Sequence, residues 1–159
     1  MKIYLVQHGK PVPKEKDPDR PLSELGRQDI EKVAAFLKKI GIEVQEIFHS
    51  GKTRARQTAE IMISKLSPGR EPLKKDGLSP LDDVKAIAEE VNQTQKDLMI
   101  VGHLPHLAKL TSVLTGGSES NPVVAFQQGG VVCLQFDKER NTWAIAWMLV
   151  PEIVPSYED

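Results

Sequence analysis

A single cysteine, Cys133, is all that the 159 residues contain, so no internal disulfide is open to this chain. It lies in the apolar run Val131-Val132-Cys133-Leu134 and reads as a buried strand thiol rather than a nucleophile. An excess of charge of either sign is also missing. Twenty-one Lys and Arg stand against 22 Asp and Glu, a net charge of -1, which leaves no long-range field to hold nucleic acid or an anionic membrane. Neither is an expected partner. No stretch approaches the roughly 20 apolar residues that span a bilayer. The opening run Met1 to Val6 is too short for a signal peptide and leads directly into His8 and Gly9, so a cytoplasmic location is expected. Internal repeats, low-complexity tracts, linkers, heptads and long apolar stripes are all lacking, and a monomer is expected.

What remains is ordinary for a globular protein, with 40% hydrophobic and 27% charged residues. The length suits one domain over residues 1–159, large enough to bury a core without staples. Residues 3 to 6 form a short β-rich run with the look of a central strand covered on both faces, ending in Gln7-His8-Gly9. After a loop from Pro11 to Pro21, Ser23 is placed to cap a helix with Ile30, Val33, Ala34 and Leu37 on one face, ending near Gly41. A strand from Val44 to His49 and a helix from Thr53 to Lys65 follow. A third helix, with Asp82 or Asp83 at its start, carries Val84, Ile87, Ala88 and Val91. The strand Leu98 to Val101 then leads through Gly102-His103-Leu104-Pro105 into a fourth helix. Val131 to Phe136 and Trp143 to Leu149 read as a hairpin around Lys138 to Asn141. The expected fold is an α/β protein, a three-layer α/β/α sandwich with a mainly parallel sheet and an antiparallel C-terminal hairpin at its edge.

In such sheets ligands bind beyond the C-terminal ends of the strands, and three of those ends carry His8, the segment Ser50 to Arg54, and His103. Arg54 falls in the first turn of its helix, where free backbone N–H groups and the helix dipole already favour an anion, and a guanidinium adds bidentate phosphate recognition. Its plain alternative is an exposed arginine paired with Glu60, while Arg56 is expected to face solvent. A histidine whose one ring nitrogen is fixed by a hydrogen bond can attack phosphorus with the other, the role for which His8 is placed. His103 can then donate to the oxygens of the transferring group. Two histidines can also bind a metal, but no Asp or Glu sits at ligand spacing beside either and no HxxxH or HExxH pattern occurs, so no metal is expected.

Gln7-His8-Gly9-Lys10 resembles the Arg-His-Gly strand-end signature of the histidine phosphatase superfamily, the phosphoglycerate mutase-like proteins. Ser50-Gly51-Lys52-Thr53-Arg54-Ala55-Arg56-Gln57-Thr58-Ala59 is similar to the family's Ser-x-x-x-Arg-Ala-x-Gln-Thr-Ala segment, and Val101-Gly102-His103 to its second-histidine segment. The short length and the segments Arg20-Pro21-Leu22, Leu78-Ser79-Pro80 and His103-Leu104-Pro105 resemble the small phosphohistidine phosphatase (SixA) branch. The resemblance implies catalytic His8, Arg54 and His103, a covalent phosphohistidine intermediate on His8, and phosphate contacts from Gln7, Gly9, Arg54, His103 and Leu104. It implies no cofactor and no metal, with phosphohistidine on a protein as substrate and a small phosphorylated molecule as the alternative.

One position departs from that pattern. Where the family has arginine before its histidine this chain has Gln7, which donates hydrogen bonds but carries no charge. Loss of a charge-assisted bond to the transferring group corresponds to about 2–4 kcal/mol, roughly 30- to 1000-fold in rate. Lys10, Lys52 and Arg20 are the candidate compensating cations, with a solvated surface charge as the plain alternative for each. A degenerate module that holds phosphate without turning it over is the rival reading. Asp17 is the candidate acid, or else a solvated loop carboxylate. Asp82 and Asp83 are expected as helix caps, His106 as peripheral and His49 as a strand-end residue, while Gln127 and Gln128 are candidates to reach phosphate.

Overall fold

The computed structural model describes residues 1–156, and the last three residues of the expected 1–159 domain lie outside the described residues. Six strands, β1 (Lys2–Gln7), β2 (Glu46–His49), β3 (Leu73–Lys74), β4 (Leu98–Gly102), β5 (Val131–Asp137) and β6 (Thr142–Leu149), form one sheet in the order β3-β2-β4-β1-β5-β6. The first four in that order run parallel, and β5 pairs antiparallel with both β1 and β6. The expected mainly parallel sheet with an antiparallel edge hairpin is therefore present, a bulge lying between Cys133 and Leu134.

Alternation along the strands accounts for three layers, since successive side chains point to opposite faces. Tyr4 and Val6 of β1 join Met99, Val101, Val131 and Cys133 in the core beneath helices α1 (Glu24–Lys39) and α2 (Thr53–Leu66). Ile3 and Leu5 join Leu98, Ile100, Val132, Leu134 and Trp143 in the core beneath α3 (Lys85–Gln93) and α4 (His106–Gly116). Cys133 is buried as expected, and burial pushes its thiol up to about 11. With both faces covered, the central strands β1 and β4 read as continuous apolar runs in the sequence.

Ser23 caps α1 as expected, its Oγ accepting the Gly26 N–H at 3.0 Å, and the helix stops at Lys39, just before Gly41. The start of α3 differs from the expectation. Val84 stands at the cap position, while the Asp83 carboxylate accepts the Lys85 N–H (2.9 Å) and Asp82 turns back to the Ser79 N–H (2.9 Å). Strand β3 has no signal in the sequence, because two exposed residues carry no periodicity.

Candidate active site

β1 ends between two neighbours that continue to hold the chain past its last paired residue. The His8 N–H donates to the Gly102 carbonyl (3.1 Å), and the Gly129 N–H donates to the carbonyls of Gln7 (2.9 Å) and His8 (3.2 Å). Gly129 sits at φ +78°, a conformation that favours glycine. On the helical side, a Cβ on Gly9 would stand 2.9 Å from Ile30 Cγ1, and one on Gly26 only 2.2 Å from the Lys10 carbonyl oxygen. Helix α1 thus lies directly on the backbone that follows His8, which is buried.

The ring of His8 is fixed by the next residue. His8 Nδ1 lies 2.7 Å from the Gly9 carbonyl oxygen, and because a carbonyl only accepts, Nδ1 carries the proton and Nε2 keeps a free lone pair. The Gly9 N–H donates to Thr58 Oγ1 (3.0 Å), whose own hydroxyl donates to the Arg54 carbonyl (2.8 Å). One threonine therefore ties the histidine loop to the turn that presents Arg54. The Gly9 amide is engaged there, so this glycine orients His8 rather than offering its N–H to a ligand.

Arg54 is the second residue of α2, and no acidic residue occupies that helix's first turn. Among the described residues no carboxylate pairs with it; Glu60 instead binds the exposed Arg56 at 2.7 Å. Arg54 Nε is buried without a partner. His103 follows β4 and is almost fully enclosed. Its Nε2 lies 2.6 Å from Ser50 Oγ, which also accepts the Lys52 N–H at 3.3 Å. The Ser50 O–H has no other acceptor among the described residues, so it donates to Nε2, which leaves the proton of a neutral His103 on Nδ1. That Nδ1 is buried and unpartnered, a donor with no acceptor in the protein. The His8 and His103 rings stand 5.0 Å apart between centroids, tilted by 50°.

Burial and surrounding cations keep both rings neutral. Desolvation foremost, with the charges of Arg54 and Arg20 against the opposing Gly9 hydrogen bond, lowers His8 from 6.5 to about 4. Desolvation, then His8, Arg54, Lys52 and His106, lowers His103 to about 3. Arg54 is itself lowered by burial and by Arg20. A neutral nucleophile beside a neutral donor and a guanidinium suits attack on an anionic phosphoryl group.

The other residues singled out from the sequence divide clearly. Gln7 is buried at the strand end with Oε1 unpartnered. Lys10, Arg20 and Gln128 line one cleft on the rim. Gln127, Lys52 and Leu104 are exposed, the last at 41%, beside His103. The Asp17 carboxylate accepts the Asp19 N–H at 3.0 Å within its own turn. His49 is buried and its Nδ1 accepts the Gly51 N–H (3.0 Å). His106, expected as peripheral to the chemistry, is a core residue. It opens α4 fully buried, drawn toward the Gly77 carbonyl, with neither ring nitrogen in a well-formed hydrogen bond. Among the described residues no three His, Cys, Asp or Glu side chains gather as a metal ion would require. Thr58 and Ser50 are the functional side chains whose tasks the sequence reading missed, although both stand in the segment around Arg54.

An α/β sandwich that sets a buried imidazole, its outer nitrogen free, among cations at the ends of parallel strands is a histidine-centred oxyanion site. The sequence model of the histidine phosphatase superfamily (branch 1) matches residues 3–82, half of the chain, and the chain belongs to that superfamily. An uncharacterized protein of Picosynechococcus is 28% identical over 142 residues, 85% of each chain. The mitochondrial serine/threonine-protein phosphatase PGAM5 of Rattus norvegicus is 38% identical over 68 residues, 42% of this chain and 23% of that protein. In three dimensions the protein histidine phosphatase SixA, solved with tungstate, aligns over 95% of this chain and 97% of its own with a TM-score of 0.81 at 23% identity. That likeness establishes the shared fold.

Proposed function

We propose that the protein is a phosphatase that takes a phosphoryl group onto Nε2 of His8 and releases it to water, with phosphohistidine on a protein as its substrate. The observation that carries this reading is the 2.7 Å bond from His8 Nδ1 to the Gly9 carbonyl, which leaves Nε2 as the unprotonated, outward nitrogen. In the first step the Nε2 lone pair forms the bond to phosphorus while the bond from phosphorus to the leaving group breaks. Arg54 and the Nδ1–H of His103 hold the phosphoryl oxygens as charge concentrates on them. Water then displaces His8 and inorganic phosphate departs. No metal is required by these steps.

The phosphohistidine substrate is supported by the charges around the site. Arg54 and Arg20 are the charged groups that act on His8, while the candidate acid Asp17 is engaged within its own turn. An alcohol leaving group needs an acid; a protonated imidazole departs without one. The rim cleft, lined by lysine, proline, glutamate, arginine and glutamine, offers no aromatic wall to a small organic phosphate. Likeness in fold to a protein histidine phosphatase agrees with this choice.

Phosphate release from a phosphohistidine peptide, a phosphoserine peptide and an aryl phosphate, with chelator present and with His8→Ala alongside, tests the proposal. The expected result is preference for phosphohistidine, no loss with chelator and no turnover in the variant. A His8→Ala protein as active as the parent would falsify it. Phosphate binding without release from any substrate would establish a binding module instead.

A further inference from the structure

Three donors near the end of β1 are buried without a partner: Nε of Arg54, Nδ1 of His103 and Nε of Arg20. Buried donors are rarely left unpaired, so three of them beside one free imidazole nitrogen mark the place of an anion. Two belong to the site already described. The third comes from the loop between β1 and α1, and its placement is built rather than incidental. The Ser23 N–H and hydroxyl both donate to the Lys10 carbonyl (2.9 and 2.8 Å), and the Val12 N–H donates to the Pro21 carbonyl (2.7 Å). Pro11 and Leu22 form an antiparallel bridge, which closes the loop on itself. The Leu22 N–H donates to Gln57 Oε1 (2.7 Å), fastening the loop to α2 within a turn of Arg54.

Within that frame Arg20 occupies the left-handed region at φ 49°, uncommon for a residue with a Cβ, its N–H donating to the Asp17 carbonyl at 3.0 Å. Aspartates stand at 17 and 19, yet among the described residues Arg20 forms no ion pair. The turn carries its guanidinium inward instead.

We propose that Arg20 is the second phosphate-binding guanidinium of the site, joining Arg54 on the group carried by His8 and supplying the charge that Gln7 at the strand end does not bring. Its positive charge already acts on both His8 and Arg54, disfavouring their protonated forms. Two guanidinium groups in mutual repulsion, neither held in an ion pair among the described residues, are relieved by a dianionic phosphoryl group. Lys10 and Lys52, the other cations beside the motifs, have exposed side chains and lack this enclosure. The catalytic part of the role rests on the phosphatase reading above, whereas the binding part does not.

The test is titration of the purified protein with inorganic phosphate, followed by kcat/KM where turnover is measurable. Arg20→Gln is expected to weaken phosphate binding about 10-fold or more and to lower kcat/KM roughly 30- to 1000-fold, with Arg20→Lys intermediate. Adding Gln7→Arg to Arg20→Gln is expected to restore much of both losses, because it returns a guanidinium to the same strand end. Lys16→Gln, an exposed charge in the same loop, is expected to change neither. Phosphate affinity equal in parent and Arg20→Gln overturns the proposal, as does an equal loss in Lys16→Gln, which would mark a general rim effect. A parent that binds phosphate through Arg20 but hydrolyses nothing leaves this assignment standing while the phosphatase reading fails.

Discussion

Ser50 Oγ and His103 Nε2 lie 2.6 Å apart, and this contact decides which nitrogen of His103 faces a ligand. The serine belongs to the end of β2 and the histidine to the end of β4, neighbouring parallel strands. Replacing Ser50 by Ala removes the partner of a buried nitrogen. We expect a stability loss of about 1–3 kcal/mol, and a fall in kcat/KM of roughly 5- to 100-fold as the ring loses its fixed tautomer. Denaturant unfolding alongside steady-state kinetics separates the two effects, and an unchanged kcat/KM would show that Ser50 does not orient the ring.

Acid sensitivity should follow the buried imidazoles. His8 at about 4 and His103 at about 3 lie below the ordinary 6.5, and His49 and His106 are lowered as well. The unfolded chain therefore binds more protons than the folded one as pH falls through 6.5, so stability declines from there through about 4 toward 3 and owes nothing to these groups above about 7. Denaturation midpoints measured against pH should be flat near neutrality and fall on acidification. The fall should be shallower in His8→Ala, and equal slopes would remove His8 from the effect.

Thr58 bonds to both the Gly9 N–H and the Arg54 carbonyl. Thr58→Val preserves shape and abolishes both contacts, leaving the Gly9 amide unpaired in the interior at a cost of about 1–3 kcal/mol. Activity should fall further than stability alone explains, since two active-site segments lose their common tie. Thr58→Ser, which retains the hydroxyl, should recover most of the rate; a serine variant as impaired as valine would assign the effect to the lost methyl group.

Gly26→Ala places a Cβ against a backbone oxygen that no side-chain movement can clear. The helix must lift from Lys10, an overpacking cost on the order of 3 kcal/mol, or roughly 6–12 °C in Tm. Gly41→Ala meets nothing within 4 Å and bears only the strain of φ +84°. It should therefore be the milder of the two in a thermal melt, and the reverse order would mean that α1 does not rest on the Lys10 backbone.

Much of this architecture is legible in the sequence. His8, Arg54 and His103 could be found because each stands where an apolar strand gives way to polar chain, and a parallel sheet gathers such ends at one edge. The hairpin of β5 and β6 was visible in two apolar runs around a polar turn. The supports were not visible, because they are contacts between residues distant in sequence. Nothing local marks Gly26 as the seat of the Lys10 carbonyl, and a mid-helix threonine such as Thr58 usually satisfies itself on its own helix. No local signal marks His106 as a core residue, and only the packed structure shows it enclosed. Arg20 was one of several loop cations until its left-handed backbone and buried Nε set it apart from Lys10 and Lys52.

The order of strands in the sheet also bears on how the protein comes into being. β1 is synthesised first, but both of its neighbours, β4 and β5, are encoded after residue 97, and β2 touches β1 nowhere in the sheet. As the chain emerges, His8 waits on an unpaired strand until Gly102 and Gly129 arrive to hold it from either side. A fragment ending at residue 82 carries His8 and Arg54 but keeps only the short β2–β3 pairing, with no neighbour for β1. Activity should therefore appear only with near-complete chains, and separately made halves should regain it only by pairing β1 with its late-made neighbours.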